Sequence, residues 1–353
     1  MSVREVKIGN ITIGGNNKIA VQSMTNSDTA NYEATLNQLY ELQNAGCDIA
    51  RFTVPDMDAV RNIAKYKEKI KMPLVADIHF NYKLAIESAQ AGIDKIRINP
   101  GNIGSDDRIK AVCDVCRQKK IPIRIGVNGG SLEKSVLEKY GKPTPEALFE
   151  SALLNVRKLE QFDFTDIVIS VKSSDVITMI KANRLLHERL DYPLHIGVTE
   201  AGTMYSGIIK SSAGIGALLC DGIGDTLRVS LTADIKEEIR AARELLMALG
   251  IEKNGIELIS CPTCGRCKID LIKIADDFDK ALNQKGLRPS RKIKIAIMGC
   301  AVNGPGEARE ADVGIAGGNG DAILFKKGEI VGKIDADKII PTLLEQAEIL
   351  SKQ

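Results

Sequence analysis

The segment ISCPTCGRCKID, residues 259–270, spaces Cys261, Cys264 and Cys267 three residues apart. Pro262 and Gly265 signal a turn after the apolar run IELIS, which leaves the sulfurs of Cys261 and Cys264 free to converge on one ion. A second strand-like run, KIKIAIMG, delivers Cys300 and then folds back through Gly304, Pro305 and Gly306 to Glu307. Thiolates arriving from two loops suit tetrahedral zinc or an iron–sulfur cluster. By residue type and spacing alone, the natural set is four thiolates: Cys261, Cys264, Cys267 and Cys300. The remaining cysteines read as packing residues. Cys113 and Cys116 share one buried face of the helical stretch DDRIKAVCDVCRQKK, and Cys47 and Cys220 are single residues at helix ends.

A second group of residues is basic. Arg51, Arg97 with Asn99, Arg124 with Asn128, Lys172 and Arg228 sit near the C-terminal ends of short apolar runs that otherwise read as buried strands. A buried charge needs a carboxylate partner or an anionic ligand. The local acids Asp77 and Glu200 are too few to neutralise five cations, so the pattern predicts a polyanion pocket. The loops NPGNIG and GVNGGSL add glycines where backbone N–H groups can approach phosphate oxygens.

Of the three histidines, His79 follows the run PLVADI at the same end as the cations and is favoured for function. His195, inside a strand, reads as a hydrogen-bonded core residue, and His187 in LLHERL as an exposed helical one. They do not make a zinc triad. SAGIGALL lies within a helical pattern, so its Gly-x-Gly is not the strand-to-helix fingerprint of dinucleotide binding. GGNG at 317–320 reads as a hairpin turn and KYKEKIKMP as a solvated helix face.

These groups must be positioned by the elements around them. After a hairpin candidate (VKIGNITIGG) come KIAVQSM, DIARFTV, PLVADIHF, KIRINPG, PIRIGVN, DIVISVK, PLHIGV and DTLRVSL, each separated from the next by an amphipathic helical stretch. Strict alternation of strand and helix implies parallel pairing through right-handed crossovers. Eight such units in residues 1–250 predict a closed (β/α)8 TIM-type barrel, with the cations on its C-terminal, active face. A doubly wound open sheet is the competing α/β fold. Residues 251–353 change rhythm and predict a small α/β domain in which two short strands and a closing helix follow Cys300.

Composition excludes several classes. With 48 basic against 46 acidic residues in 353, no global field draws the chain to nucleic acid or membranes. The start MSVREVKIGNITIGG lacks a signal-peptide core, and no later stretch has the apolar length of a membrane span. The expectation is a cytoplasmic protein whose clustered cysteines are ligands or catalytic groups.

CPTC and MGCAVNGPGEA, together with VQSMTN, LVADIHF, RINPGNIG, IRIGVN, LHIGVTEAGT and GIGDTLRVSLT, carry a close resemblance to the bacterial 4-hydroxy-3-methylbut-2-enyl diphosphate synthase family, almost end to end. The resemblance implies a 4Fe–4S cluster held by Cys261, Cys264, Cys300 and Glu307. Cys267 departs from the family pattern, as a nearby free thiol and an alternative to Glu307. A carboxylate holds thiophilic iron less firmly than a thiolate, so one iron can exchange it for substrate.

The implied activity is two-electron ring opening and dehydroxylation of 2-C-methyl-D-erythritol 2,4-cyclodiphosphate in the non-mevalonate isoprenoid pathway. The resemblance also implies reduced flavodoxin or ferredoxin as the electron donor and a homodimeric assembly. By motif position, Arg51, Arg97, Asn99, Arg124, Asn128, Lys172 and Ser230 are substrate contacts, with Thr199 beside Glu200. Arg228, two residues before Ser230, reads either as a further pocket cation or as a residue of the barrel wall. Glu200 is the candidate acid for the departing oxygen, with Asp77 and His79 near it. The rival readings are a non-redox iron–sulfur hydro-lyase and an anion-binding module stabilised by zinc.

Overall fold

The computed structural model describes residues 2–300 and 310–353, and the chain divides into two compact units, Met1–Leu245 and Leu246–Gln353. Two strands, β1 (Glu5–Ile8) and β2 (Ile11–Gly14), pair as an antiparallel hairpin. Eight more alternate with helices: β3 (Ala20–Met24), β4 (Ile49–Thr53), β5 (Leu74–Asp77), β6 (Lys95–Ile98), β7 (Ile123–Asn128), β8 (Ile167–Lys172), β9 (His195–Ile196) and β10 (Thr226–Leu227). They form one parallel sheet in the order β8-β7-β6-β5-β4-β3-β10-β9. A parallel bridge between Ile169 and Leu194 brings β8 back to the β9 edge. The ring so made is the nearly closed (β/α)8 barrel that the strand count predicts.

Local chemistry sets where each unit turns. Asn31, Asp56, Asn81 and Asp175 each accept a hydrogen bond from a backbone N–H two or three residues on, starting helices Tyr32–Ala45, Met57–Lys69, Tyr82–Gln90 and Val176–Arg189 soon after the preceding strand. These caps keep the βα connections pinned at the C-terminal mouth. At the other mouth the hairpin is a plug. Val6, Ile8 and Ile13 pack against Ala20, Ile49, Val75 and Val168, which stand at the starts of their strands.

The SAGIGALL glycines fall inside helix Met204–Cys220, where a Cβ on Gly214 would meet Met179 Cε at 2.6 Å and Val198 Cγ2 at 2.9 Å. Their role is close helix packing. Cys113 and Cys116 are buried in helix Asp106–Lys119 and Cys47 is buried, but Cys220 is exposed at its helix end and does no packing. His187 is half-buried rather than exposed, because its position lies beside the buried Leu186 on a helix that packs along the barrel.

The second unit is a five-stranded sheet in sequence order: β11 (Gly255–Ser260), β12 (Lys292–Met298), β13 (Val313–Gly317), β14 (Asp321–Lys326) and β15 (Glu329–Asp335). The first three strands are parallel and the last two pairings antiparallel. Alternation along β12 splits the core. Ile293, Ile295 and Ile297 meet Leu271 and Phe278 of helix Leu271–Lys285 and Ile339 and Leu343 of helix Ile339–Ser351, while Ala296 and Met298 pack with Ala316 and Phe325. Gly318 N–H donates to Asp321 O at 2.8 Å, closing the GGNG hairpin. Among the described residues three strands, not two, follow Cys300. The extra one, β15, is an edge strand with Ile330 and Val331 exposed, so it lacks the one-sided alternation that marks a strand in sequence. Among the described residues, no helix is long and apolar enough to cross a membrane.

Candidate active site

The strand ends of the barrel open into a cavity of about 120 Å³. Alternation along β7 turns Arg124, Gly126 and Asn128 inward, and along β8 it turns Ser170 and Lys172 the same way. Arg51, Asp77 and Arg97 join them from β4, β5 and β6, and His79, Thr199, Arg228 and Ser230 from just beyond the strand ends. Nine of the eleven residues assigned from sequence to catalysis and substrate binding therefore line one cavity.

Two carboxylates are buried among the cations. Asp77 receives Arg97 Nη1 at 3.0 Å and faces Arg51 Nε at 3.5 Å. Burial pushes the Asp77 carboxyl up, but the charges of Arg51 and Arg97, with His79 and Arg124, outweigh it and hold the pKa at about 2. Arg51 is brought down to about 10 by burial, against the pull of Asp77, and its Nη2 rests 2.9 Å from Met24 Sδ. The second acid is Glu238, from helix Ile235–Ala248. It accepts from Arg228 Nε at 3.1 Å and Nη2 at 3.0 Å, from Ser23 Oγ at 2.6 Å and from the Leu231 N–H at 3.1 Å. Arg228 thus lines the cavity rather than facing the barrel wall, held in place by a bidentate pair.

Arg124 and Lys172 have no carboxylate partner among the described residues, although both are buried; Arg124 Nη1 reaches only Gln22 Oε1, at 3.2 Å. Burial, then the neighbouring arginines, push both well below their ordinary basicity. Five cations facing two carboxylates make a cavity suited to a multiply charged anion, which would supply the counter-charge that Arg124 and Lys172 are without.

Gly126, Ser170 and Glu238 were missed in sequence. For Gly126 the signal was present: an isolated glycine in a strand marks close approach. A Cβ there would stand 2.3 Å from Arg97 Nε, so the glycine makes room for the guanidinium. At Gly197 a Cβ would meet Arg228 O at 2.6 Å and Lys172 Nζ at 3.2 Å. Glu238 carried no such signal, since it is one of several charged residues in an amphipathic helix.

Two assigned residues stand apart from the lining. Asn99 is buried and its Oδ1 caps the Gly101 N–H at 3.1 Å. Glu200 is exposed, with a left-handed backbone at φ 53° that is uncommon for a non-glycine residue. His79 reaches the cavity while remaining exposed, beside the exposed Phe80.

Residues 3–243 match the profile described as the GcpE TIM-barrel domain, and residues 257–349 that described as the GcpE protein C-terminal domain. The chain belongs to the GcpE family. Proteins named 4-hydroxy-3-methylbut-2-en-1-yl diphosphate synthase (flavodoxin) are similar to it over nearly the full length. The one from Clostridium perfringens is 55% identical over 98% of this chain and 98% of its own. Those from Fusobacterium nucleatum and Caldanaerobacter subterraneus are each 54% identical, over 97% and 99% of this chain and 96% and 98% of theirs. Among solved structures, a type I 3-dehydroquinate dehydratase from Clostridium difficile is similar with a TM-score of 0.51 and 18% identity, over 70% of this chain and 97% of that one. A truncated 3-deoxy-D-arabino-heptulosonate 7-phosphate synthase from Thermotoga maritima gives 0.50 and 15%, over 70% and 94%. At such identities the likeness speaks for the barrel fold alone.

In this GcpE chain the cysteines sit at the ends of two adjacent parallel strands. Cys261 follows β11 directly, and its Sγ accepts the Gly299 N–H at 3.3 Å, one residue before Cys300. The turn between them is held by Cys267 N–H to Cys264 O at 2.9 Å and Lys268 N–H to Gly299 O at 3.0 Å. Hydrogen bonds from the Arg266 backbone and side chain lower the pKa of the exposed Cys264 thiol. Cys267 turns inward and donates to Ile269 O at 3.2 Å. Among the described residues no three Cys, His, Asp or Glu side chains are gathered closely enough to hold a metal. The donor set itself fits a thiophilic metal group: an acidic thiol, a sulfur that accepts a backbone N–H, and a third cysteine beside that N–H. Glu307 lies outside the described residues.

Proposed function

We propose that the chain converts 2-C-methyl-D-erythritol 2,4-cyclodiphosphate to (E)-4-hydroxy-3-methylbut-2-enyl diphosphate, taking two electrons from flavodoxin or ferredoxin, in a homodimer in the cytoplasm. The observation that carries this reading is the surplus of cations in the barrel cavity, because a cyclic diphosphate supplies the charge that Arg124 and Lys172 lack. The names of the full-length relatives agree with it.

In this reading Arg124 and Lys172 hold the phosphates, with Asn128 and Ser230 orienting them. Arg51 and Arg97 stay fixed by Asp77 and add field without having to reorganise. Asn99 shapes the loop after β6 by capping it. Thr199 adds a substrate contact, and Glu200 beside it, with His79 on the cavity lining, can deliver a proton to a departing oxygen. Cys261, Cys264 and Cys300, with Glu307, would hold a 4Fe–4S cluster. Such a cluster, when bound, supplies low-potential electrons.

The test is turnover of the cyclodiphosphate by anaerobically purified chain, with and without reduced flavodoxin, alongside iron and acid-labile sulfide analysis. Product that forms only with reductant supports the proposal; product without reductant, or zinc without sulfide, overturns it. Cys264→Ser should abolish the visible absorption that dithionite bleaches, whereas Cys267→Ser should retain it. The reverse pattern would exchange the roles of these two thiols.

A further inference from the structure

One turn of the strand alternation beneath the cavity lies a second polar layer that shares only Arg124 with the proposed reaction. Lys95 precedes Arg97 by two residues on β6 and so faces the barrel interior with it. Thr226 likewise stands two residues before Arg228, and its Oγ1 shares a hydrogen bond of 2.8 Å with His195 Nδ1. Gln22 reaches across the barrel from β3 to Arg124 on β7. Lys95 and His195 are 0% exposed, and Gln22 and Arg124 1%.

Four polar atoms in this layer lack a protein hydrogen-bond partner among the described residues: Gln22 Nε2, Lys95 Nζ, Arg124 Nε and His195 Nε2. Their N–H hydrogens outnumber the lone pairs these side chains can offer, which come from His195 Nε2 in one tautomer, from Lys95 when uncharged and from the second lone pair of Gln22 Oε1. Gln22 Oε1 accepts from Arg124 Nη1 and keeps one further lone pair. Water does not cure such a surplus, because each molecule brings as many donors as acceptors. An anion brings acceptors alone. The electrostatic surroundings agree: Lys95 is pushed well below its ordinary basicity by burial and then by Arg124 and Arg51, and the charges acting on His195 are those of Arg124, Lys172, Lys95 and Arg51.

We propose that Gln22, Lys95, Arg124 and His195 form a buried site for a small inorganic anion of the halide class, one layer below the cavity that takes the diphosphate. Arg124 belongs to both layers, so the lower anion also holds its guanidinium in place. The site stands on the donor surplus and does not depend on which reaction the cavity performs.

The experiment is a crystal structure of the full chain grown in sodium bromide, with anomalous data collected at the bromine edge. An anomalous peak within hydrogen-bonding reach of Lys95 Nζ and Arg124 Nε is the expected result. Water density there without anomalous signal, or bromide confined to the upper cavity and the surface, overturns the proposal. In solution, replacing gluconate by chloride at constant ionic strength should raise the melting temperature of the natural chain about 2–4 °C more than that of Lys95→Met. An equal response of the two would count against the site, and should Lys95→Met fail to fold, the bromide map decides alone.

Discussion

Asp77→Asn isolates the electrostatic logic of the cavity. Asparagine nearly preserves the shape while removing the charge that Arg97 meets at 3.0 Å and Arg51 at 3.5 Å. The native carboxyl titrates at about 2, against about 3.9 for an unperturbed aspartate, so its ionised form contributes about 2–3 kcal/mol at neutral pH. The residue is 3% exposed, so solvent screening takes little from that figure. Leaving two buried arginines without a counter-charge can raise the loss toward about 5 kcal/mol. Because the folded-state pKa is depressed, the contribution is complete above the unfolded value and disappears as pH falls through about 2. Urea unfolding of both proteins, followed by circular dichroism from about pH 7 down to about pH 3, should show a gap that is constant down to about pH 5 and then narrows. Inorganic pyrophosphate should stabilise the variant more than the natural chain, since it replaces the missing charge. A gap that stays constant to the acid limit, or a variant as stable as the natural chain at neutral pH, would refute the assignment of Asp77 as the counter-ion.

Two further substitutions test how the cavity is built. Gly126→Ala places a methyl group 2.3 Å from Arg97 Nε and must displace that guanidinium from Asp77; KM for the cyclodiphosphate should rise about 10–100-fold in steady-state assays, and an unchanged KM would contradict the packing argument. Ile8→Ala empties part of the hairpin plug and should lower stability by about 2–4 kcal/mol in urea unfolding without altering KM, the result expected if the plug supports only the far end of the barrel.

The cation pattern was legible because it violates a strong rule. Parallel strands covered on both faces have no reason to carry arginine, so Arg51, Arg97 and Arg124 stood out, and barrel geometry sends every strand end to the same mouth. Glu238 was not legible, since a glutamate in an amphipathic helix is ordinary until the helix buries it against Arg228. Lys95 was passed over for a related reason: it opens its strand, where a lysine normally reads as the last solvated residue before the core.

Residue order alone determined the alternation of strand and helix, the barrel, the cysteine-bearing segments and the family resemblance, because periodicity and turn chemistry are local properties. Tertiary structure decided which charges meet. Asp77 between two arginines, Glu238 on Arg228, Gln22 reaching Arg124 across the barrel and Gly126 yielding space to Arg97 all depend on contacts between strands or helices far apart in sequence. Electrostatic energy and hydrogen bonding fall off over a few ångströms in space, and only closure of the barrel brings those groups within that range.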